Sequence, residues 1–350
     1  MKPEDLVRPE ILALKAYPVP AAEGMVKLDA MENPYTLPEE LRRELAAVLA
    51  RVDVNRYPTP TPQKLIDALA RRMNVPRGMR LLLGNGSDEL IQIAITALAR
   101  PGAVAMYPAP TFVMYQMSAT FAGMKPVAVP LREDFSFDAD AFIARMKAEK
   151  PALVFIAYPN NPTGVLYPEE DVAKVIRACP GLVVVDEAYH AFAGKSFMQR
   201  LDEFDNLVII RTVSKLGLAG IRLGYLVGRP EWVEQFDKVR PPYNVSGLAQ
   251  AAALFMLDRL DVLEAQAARI RADRAGLGTA LAALKGVTVF PSEANFILVR
   301  VPDADAAFQS LKEQKVLIKN LHPGLRNCLR VTVGTPDENR ILLTALREAL

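Results

Sequence analysis

The chain is poor in the residues that bind metals or cross-link polypeptides. Its 350 residues include two cysteines, Cys179 and Cys328, and two histidines, His190 and His322. Two cysteines cannot build a disulfide framework, and histidines so far apart lack metal-ligand spacing. Excess charge of one sign is missing too. The 42 Lys+Arg against 40 Asp+Glu leave a net charge of +2, and with no basic segment the electrostatic footprint of a nucleic-acid binder is absent. The longest uncharged stretch, Pro101 to Met124, is broken by Pro101, Gly102, Pro108 and Pro110 and diluted by Gln116, Ser118 and Thr120, which excludes a transmembrane helix there. Residues 1 to 20 scatter Lys2, Glu4, Asp5, Arg8 and proline where a secretory signal needs an unbroken apolar core. The expectation is a cytoplasmic, metal-free protein without membrane or nucleic-acid partners, acting on something small.

What is present is a globular composition, 51% hydrophobic and 23% charged. The length exceeds what one core serves, so a large domain plus a smaller one is expected. From about residue 80 to 230 short apolar runs alternate with amphipathic stretches: Ala103–Tyr107, Val127–Leu131, Ala152–Ala157, Leu182–Val185, Leu207–Ile210 and Gly224–Val227. This alternation predicts an α/β fold with a mainly parallel central sheet flanked by helices. Pro168 before Glu169-Glu170-Asp171, Asp138 and Pro38 mark helix starts. After Pro241-Pro242 the texture changes. Ser246 to about Leu284 reads as one long helix or two, followed by strands near Val287–Phe290, Asn295–Val301, Val316–Lys319 and Leu329–Val333, with helices near Ala304–Glu313 and from Pro336. The expected division is a large domain over residues 54–245 and a smaller, discontinuous α+β domain from 1–53 and 246–350.

Three segments fall at or near carboxyl ends of predicted strands, where open α/β sheets bind ligands. The first is Tyr158-Pro159-Asn160-Asn161-Pro162-Thr163-Gly164, which by itself equally describes a plain turn. The second, Val183-Val184-Val185-Asp186-Glu187-Ala188-Tyr189, ends a buried-looking strand in two acids and an aromatic, although an Asp there also suits a helix cap. The third is Arg211-Thr212-Val213-Ser214-Lys215 with Gly217, Gly220, Arg222, Gly224 and Tyr225 beyond it. Together they offer the parts that hold pyridoxal phosphate. An aldehyde needs a lysine amine (Lys215) for a Schiff base, a ring nitrogen needs a carboxylate (Asp186) to stay protonated, and a phosphate needs positive charge (Arg222). Upstream, Gly84-Asn85-Gly86-Ser87-Asp88-Glu89 before the apolar helix Leu90–Leu98 is a phosphate cradle in kind, small residues at a helix start. It matches neither the dinucleotide fingerprint nor the P-loop.

The set Asn160–Gly164, Asp186–Tyr189, Ser214-Lys215 and Ala219–Gly224 resembles the fold-type I aminotransferases that use pyridoxal phosphate. More narrowly, Met31-Glu32-Asn33-Pro34-Tyr35, Arg56-Tyr57-Pro58 and Cys328–Thr335 resemble the histidinol-phosphate aminotransferase family, with a match from about residue 28 to the end. The resemblance implies roles. Lys215 would hold the cofactor and move the substrate proton, Asp186 would pair with the pyridinium nitrogen, Asn161 and Tyr189 would bond the ring's phenolic oxygen, and Phe112 would stack on the ring. Backbone at Gly86, Ser87 and Asp88, with Ser214 and Arg222, would hold the phosphate. Tyr57 would reach that phosphate from the neighbouring subunit of a homodimer. Arg330, with Lys319 and Asn33, would meet the substrate. The implied reaction interconverts histidinol phosphate with 2-oxoglutarate and imidazole-acetol phosphate with glutamate, by ping-pong kinetics, in histidine biosynthesis.

The family pattern is not kept everywhere. Many relatives have Asn at Met31, a hydroxylated aromatic at Phe112 and arginine where Lys319 aligns, and Tyr17-Pro18-Val19-Pro20 lacks a serine- and arginine-containing stretch. A lysine keeps the charge but loses the planar two-pronged grip. Within the same fold an aromatic or broad-specificity aminotransferase and a threonine-phosphate decarboxylase keep the same lysine, aspartate and arginine. A regulator retaining the cofactor pocket without turnover belongs to another class, but no DNA-binding segment precedes the domain and every catalytic position is filled.

Overall fold

A computed structural model describes residues 1–16 and 19–350, so Tyr17 and Pro18 of the N-terminal stretch noted above lie outside the described residues. The strands in chain order are β1 (Val26–Lys27), β2 (Arg80–Gly84), β3 (Val104–Ala109), β4 (Lys125–Pro130), β5 (Leu153–Ala157), β6 (Leu182–Asp186), β7 (Leu207–Thr212), β8 (Gly224–Gly228), β9 (Thr288–Val289), β10 (Phe296–Arg300), β11 (Val316–Leu317), β12 (Lys319–Asn320) and β13 (Cys328–Thr332). Seven of them form one sheet in the order β2-β8-β7-β6-β5-β3-β4, parallel except for β8, which runs against both neighbours. All six apolar runs read from the sequence are strands of this sheet. β5, β6 and β7 are buried along their whole length, which is why they open on continuous apolar runs rather than alternating ones.

The helices follow from local chemistry. Pro168 precedes the helix Glu169–Ala178, whose three acids sit at the positive end while Val172, Ala173, Val175 and Ile176 are buried against the sheet. Asp138 caps Ala139–Glu149 by accepting from the Ala141 N–H. The stretch after Ser246 is two helices, Gly247–Leu257 and Leu260–Ala282. The glycine-rich cradle differs from its sequence reading in one respect. The helix there begins at Gly86 rather than Leu90, so Gly86, Ser87, Asp88 and Glu89 are its first turn.

A second, antiparallel sheet has the order β12-β13-β10-β9, with Lys319 and Leu298 on either side of Arg330. The run read as one strand near Val316–Lys319 is split. β11 pairs in parallel with β1, Val316 opposite Val26, whereas β12 joins β13. Thr335 caps the last helix, Pro336–Ala349, in a reciprocal box with Glu338. Among the described residues no helix is long and apolar enough to cross a membrane, and no cluster of His, Cys, Asp and Glu could hold a metal.

Candidate active site

The order of the large sheet reverses between β3 and β5, since the chain leaves β3 for β4 on one side and returns to β5 on the other. Crevices open at such switch points, at the carboxyl ends of the strands. Phe112 follows β3, Asn161 follows β5, Asp186 ends β6 and Ser214-Lys215 follow β7. All five line one cavity together with Tyr189, Ser87, Asp88 and Arg222.

Lys215 lies in a one-turn helix, Ser214–Leu218, that bends at Gly217 with φ +137°. A Cβ there would stand 2.9 Å from the Asn33 amide nitrogen, so the turn needs glycine on both counts. The amine donates to the Ala30 carbonyl at 2.9 Å. Burial, then the positive charge of Arg330, pushes its pKa down to about 8. A lysine so placed has a neutral, nucleophilic fraction near neutral pH.

Asp186 is 4% exposed. One carboxylate oxygen accepts from the Ala188 N–H at 3.0 Å, the other from the Tyr115 phenol at 2.7 Å. Burial raises its pKa to about 6 against the pull of those two bonds. A cation entering the cavity would favour the ionised form. Tyr189 closes this side, its ring edge-on to Phe296 with centroids 5.1 Å apart.

The phosphate corner is made by missing side chains. At Gly86, φ +79°, a Cβ would lie 2.5 Å from Arg222 Nη2; at Gly224 it would lie 2.6 Å from the Gly86 carbonyl carbon and 2.7 Å from the Ser87 nitrogen. β8 therefore presses directly on the helix start, whose free N–H groups favour an anion. Arg222 meets Asp88 at 3.6 Å and Ser214 Oγ at 3.5 Å, both long contacts of a half-exposed guanidinium. Thr212 Oγ1 donates to Ser214 Oγ at 2.9 Å. An amine, a buried carboxylate, and a helix start with an arginine beside it around one cavity are the donor set pyridoxal phosphate requires, and the residues present fit it.

Arg330, 7% exposed, reaches across from β13. It donates to Asn161 Oδ1 at 2.6 Å and to the Asp29 carbonyl at 2.8 Å, so the antiparallel layer is fastened to the end of β5. Lys319, opposite Arg330 in register, is part-buried; burial and then Arg330 lower its pKa. Two cations thus stand side by side, and Arg330 reaches the cavity through Asn161.

Two residues singled out from the sequence are elsewhere. Asn33 is not among the residues lining the cavity; its amide donates to the Leu216 carbonyl at 3.0 Å and to Gln266 at 2.9 Å. Tyr57 is 81% exposed and stacks on Tyr243 at 4.7 Å. It lines an open cleft that Arg222 also borders.

Sequence reasoning missed Tyr115 and Thr212, and also the support beneath Asp186. Glu187 is wholly buried, paired with Arg211 Nη2 at 2.7 Å and accepting from Ser196 and the Phe197 N–H. This pins the chain between Asp186 and Tyr189. An arginine directly after the apolar Val208-Ile209-Ile210 was the available signal, since a buried charge demands a partner.

Comparison with known proteins gives one family and consistent relatives. The description "Aminotransferase class I and II" matches residues 23–346. A protein of Burkholderia pseudomallei named histidinol-phosphate aminotransferase 2 is 58% identical, covering 99% of each chain. A histidinol-phosphate aminotransferase of Chromobacterium violaceum is 56% identical over 98% of each. Among solved structures, histidinol-phosphate aminotransferase from Sinorhizobium meliloti in complex with pyridoxal-5'-phosphate superposes with a TM-score of 0.87 at 26% identity, covering 98% of this chain and 97% of that one.

Proposed function

The chain belongs to the class I and II aminotransferases, and from that premise we propose that it transfers an amino group between histidinol phosphate and 2-oxoglutarate, giving imidazole-acetol phosphate and glutamate. The observation that carries the substrate is full-length similarity to proteins of that name. The reaction class is supported by the geometry, a lysine of lowered pKa facing a buried aspartate across one cavity.

Pyridoxal phosphate, when bound, supplies the electron sink that lets an amino donor lose its Cα proton. The chain's own residues do the rest. Lys215 Nζ takes that proton and returns it, because an amine with pKa about 8 is a competent base near neutrality. With the cofactor bound, Asp186 would keep the ring nitrogen protonated. Asn161 and Tyr189 would bond the ring's phenolic oxygen, and Phe112 would cover its face. The N–H groups of Gly86, Ser87 and Asp88 would hold the phosphate with Ser214 and Arg222. Arg330 receives the substrate's anionic end and Lys319 adds a second cation. Asn33 supports the Lys215 turn, its amide engaged by the Leu216 carbonyl and Gln266.

A homodimer belongs to the same proposal, with Tyr57 of one copy completing the phosphate site of the other. So do the division into residues 54–245 against 1–53 with 246–350, cytoplasmic residence, and a place in histidine biosynthesis. The test is a donor panel with 2-oxoglutarate as acceptor: histidinol phosphate, histidinol, phenylalanine, tyrosine, aspartate and threonine phosphate. Histidinol phosphate should give the highest kcat/KM, with the parallel double-reciprocal lines of two half-reactions sharing one site. Preference for phenylalanine moves the assignment to aromatic substrates. Release of carbon dioxide from threonine phosphate moves it to decarboxylation.

A further inference from the structure

Tyr115 begins one helical turn after Phe112, on the helix Val113–Phe121, and touches two of the groups proposed to hold the cofactor ring. Its phenol donates to Asp186 Oδ2 at 2.7 Å. Its ring is edge-on to Phe112, with centroids 5.7 Å apart and planes at 86°. On its other side it lies flat on Phe155 of β5, 4.6 Å away and 4° from parallel. The residue is fully buried. A ring clamped by a stacked neighbour has little freedom to turn its hydroxyl, and the single proton it carries is delivered to the Asp186 carboxylate.

We propose that Tyr115 is a positioning residue for the cofactor's ring nitrogen: with the Ala188 N–H it fixes the Asp186 carboxylate in one orientation and keeps it an anion, while supporting Phe112 at the ring face. A carboxylate has about four acceptor positions, two of which these donors fill; the remainder are left for a ligand in the cavity that Asp186 lines.

The proton stays on the phenol. Burial, then the Asp186 charge, holds Tyr115 far above the usual phenol range, with Tyr189 and Tyr167 adding to the effect. Asp186 titrates near 6, raised first by burial and further by Asp88 and Glu187, and lowered by its two hydrogen bonds. Lys215 and Arg222 are the cations lining the same cavity. Among these neighbours Tyr115 is the one whose bond to the carboxylate can be removed by deleting a single oxygen.

This inference rests on reading the cavity as a pyridoxal phosphate site, but its first measurement needs no cofactor. In the cofactor-free protein, the Asp186 titration is followed by carboxyl-carbon NMR and assigned by its loss in Asp186→Asn. Tyr115→Phe should raise the midpoint by about one pH unit or more, because a charge-assisted bond to the ionised form is lost. Phe155→Leu, which loosens the stack but leaves the phenol, should not move it. The second measurement compares binding of pyridoxal phosphate with its 1-deaza analogue, which has no ring nitrogen. Tyr115→Phe should weaken the first by about tenfold and leave the second nearly unchanged. An unmoved midpoint, or equal losses for both ligands, overturns the proposal. If Tyr115→Phe does not fold, 3-fluorotyrosine at position 115 decides it: a stronger donor must lower the midpoint, and no change overturns the assignment. Failure of the wild-type protein to bind pyridoxal phosphate would instead count against the site reading, leaving the titration to judge the hydrogen bond.

Discussion

Replacing Lys215 by methionine tests the electrostatics of the site through stability rather than turnover. The pKa of Lys215 is lowered from 10.5 to about 8, a gap of about 2.5 units at about 1.4 kcal/mol each, or about 3 kcal/mol. Lys215 is only part-buried, so this is an upper bound. Below pH 8 the amine is charged in both folded and unfolded states and the folded protein carries the whole penalty. Between 8 and 10.5 the folded amine is neutral while the unfolded one still binds a proton, so stability rises with pH across that window. Methionine keeps an unbranched chain without the charge, but it leaves the Ala30 carbonyl without its 2.9 Å donor, which costs about 1 kcal/mol. At pH 7 cofactor-free Lys215→Met should therefore be more stable than the wild type by up to about 2 kcal/mol. By pH 10.5 the difference should shrink and then reverse. Urea unfolding of both cofactor-free proteins from pH 7 to 10.5, at one protein concentration because assembly shifts apparent stability, reads the difference directly. A gap that does not change with pH, or a wild type already the more stable at pH 7, would refute a lowered lysine pKa.

Gly224→Ala should weaken pyridoxal phosphate binding by about tenfold or more, on the scale of an overpacked contact, because its Cβ would meet backbone of Gly86 and Ser87 at 2.6 and 2.7 Å; fluorescence titration checks this, and an unchanged affinity would mean the corner yields. Arg330→Ala should lower kcat/KM in both half-reactions by about 2 kcal/mol or more, as expected for removing one side of a desolvated charge contact. Lys319→Ala should harm histidinol phosphate more than phenylalanine, and equal losses in the two kcat/KM values would show that Lys319 does not read the phosphate. Mixing Tyr57→Ala with Lys215→Ala subunits should give hybrids with one intact site and more activity than either parent; no rescue after confirmed subunit exchange would remove Tyr57 from a partner's site.

How much of this was legible in the sequence depends on what each residue's role requires. Lys215, Asp186 and Asn161 follow strands whose apolar runs are unmistakable, so both the strands and the side chains at their ends could be placed from the order of residues alone. The partner of Asp186 could not. Tyr115 reaches it across 71 residues of chain, and in a helix of mixed composition a buried tyrosine looks like core. The split of Val316–Lys319 was illegible for a similar reason. Two-residue strands take their identity from the edges they meet, Val26 on one side and Arg330 on the other, and no periodicity marks so short a piece. Asn33 was expected at the substrate because of its motif; that its amide also braces the Lys215 turn through the Leu216 carbonyl, a contact spanning 183 residues, is something only the folded chain reveals.

The same long-range logic explains why the segment before the large sheet belongs to the site. Three consecutive residues there offer backbone to the layers around them. The Asp29 carbonyl accepts from Arg330 and the Ala30 carbonyl from Lys215. Met31 donates through its N–H to Thr332 and accepts through its carbonyl from Asn295. Met31 is held at φ +54° to do so, a left-handed conformation that costs a side-chain-bearing residue about 1 kcal/mol or more and that asparagine tolerates better. The surrounding hydrogen bonds impose on methionine a backbone that asparagine would adopt at lower cost. The consequence is that the lysine proposed to move the proton and the arginine proposed to bind the anion rest on adjacent carbonyls of one strap.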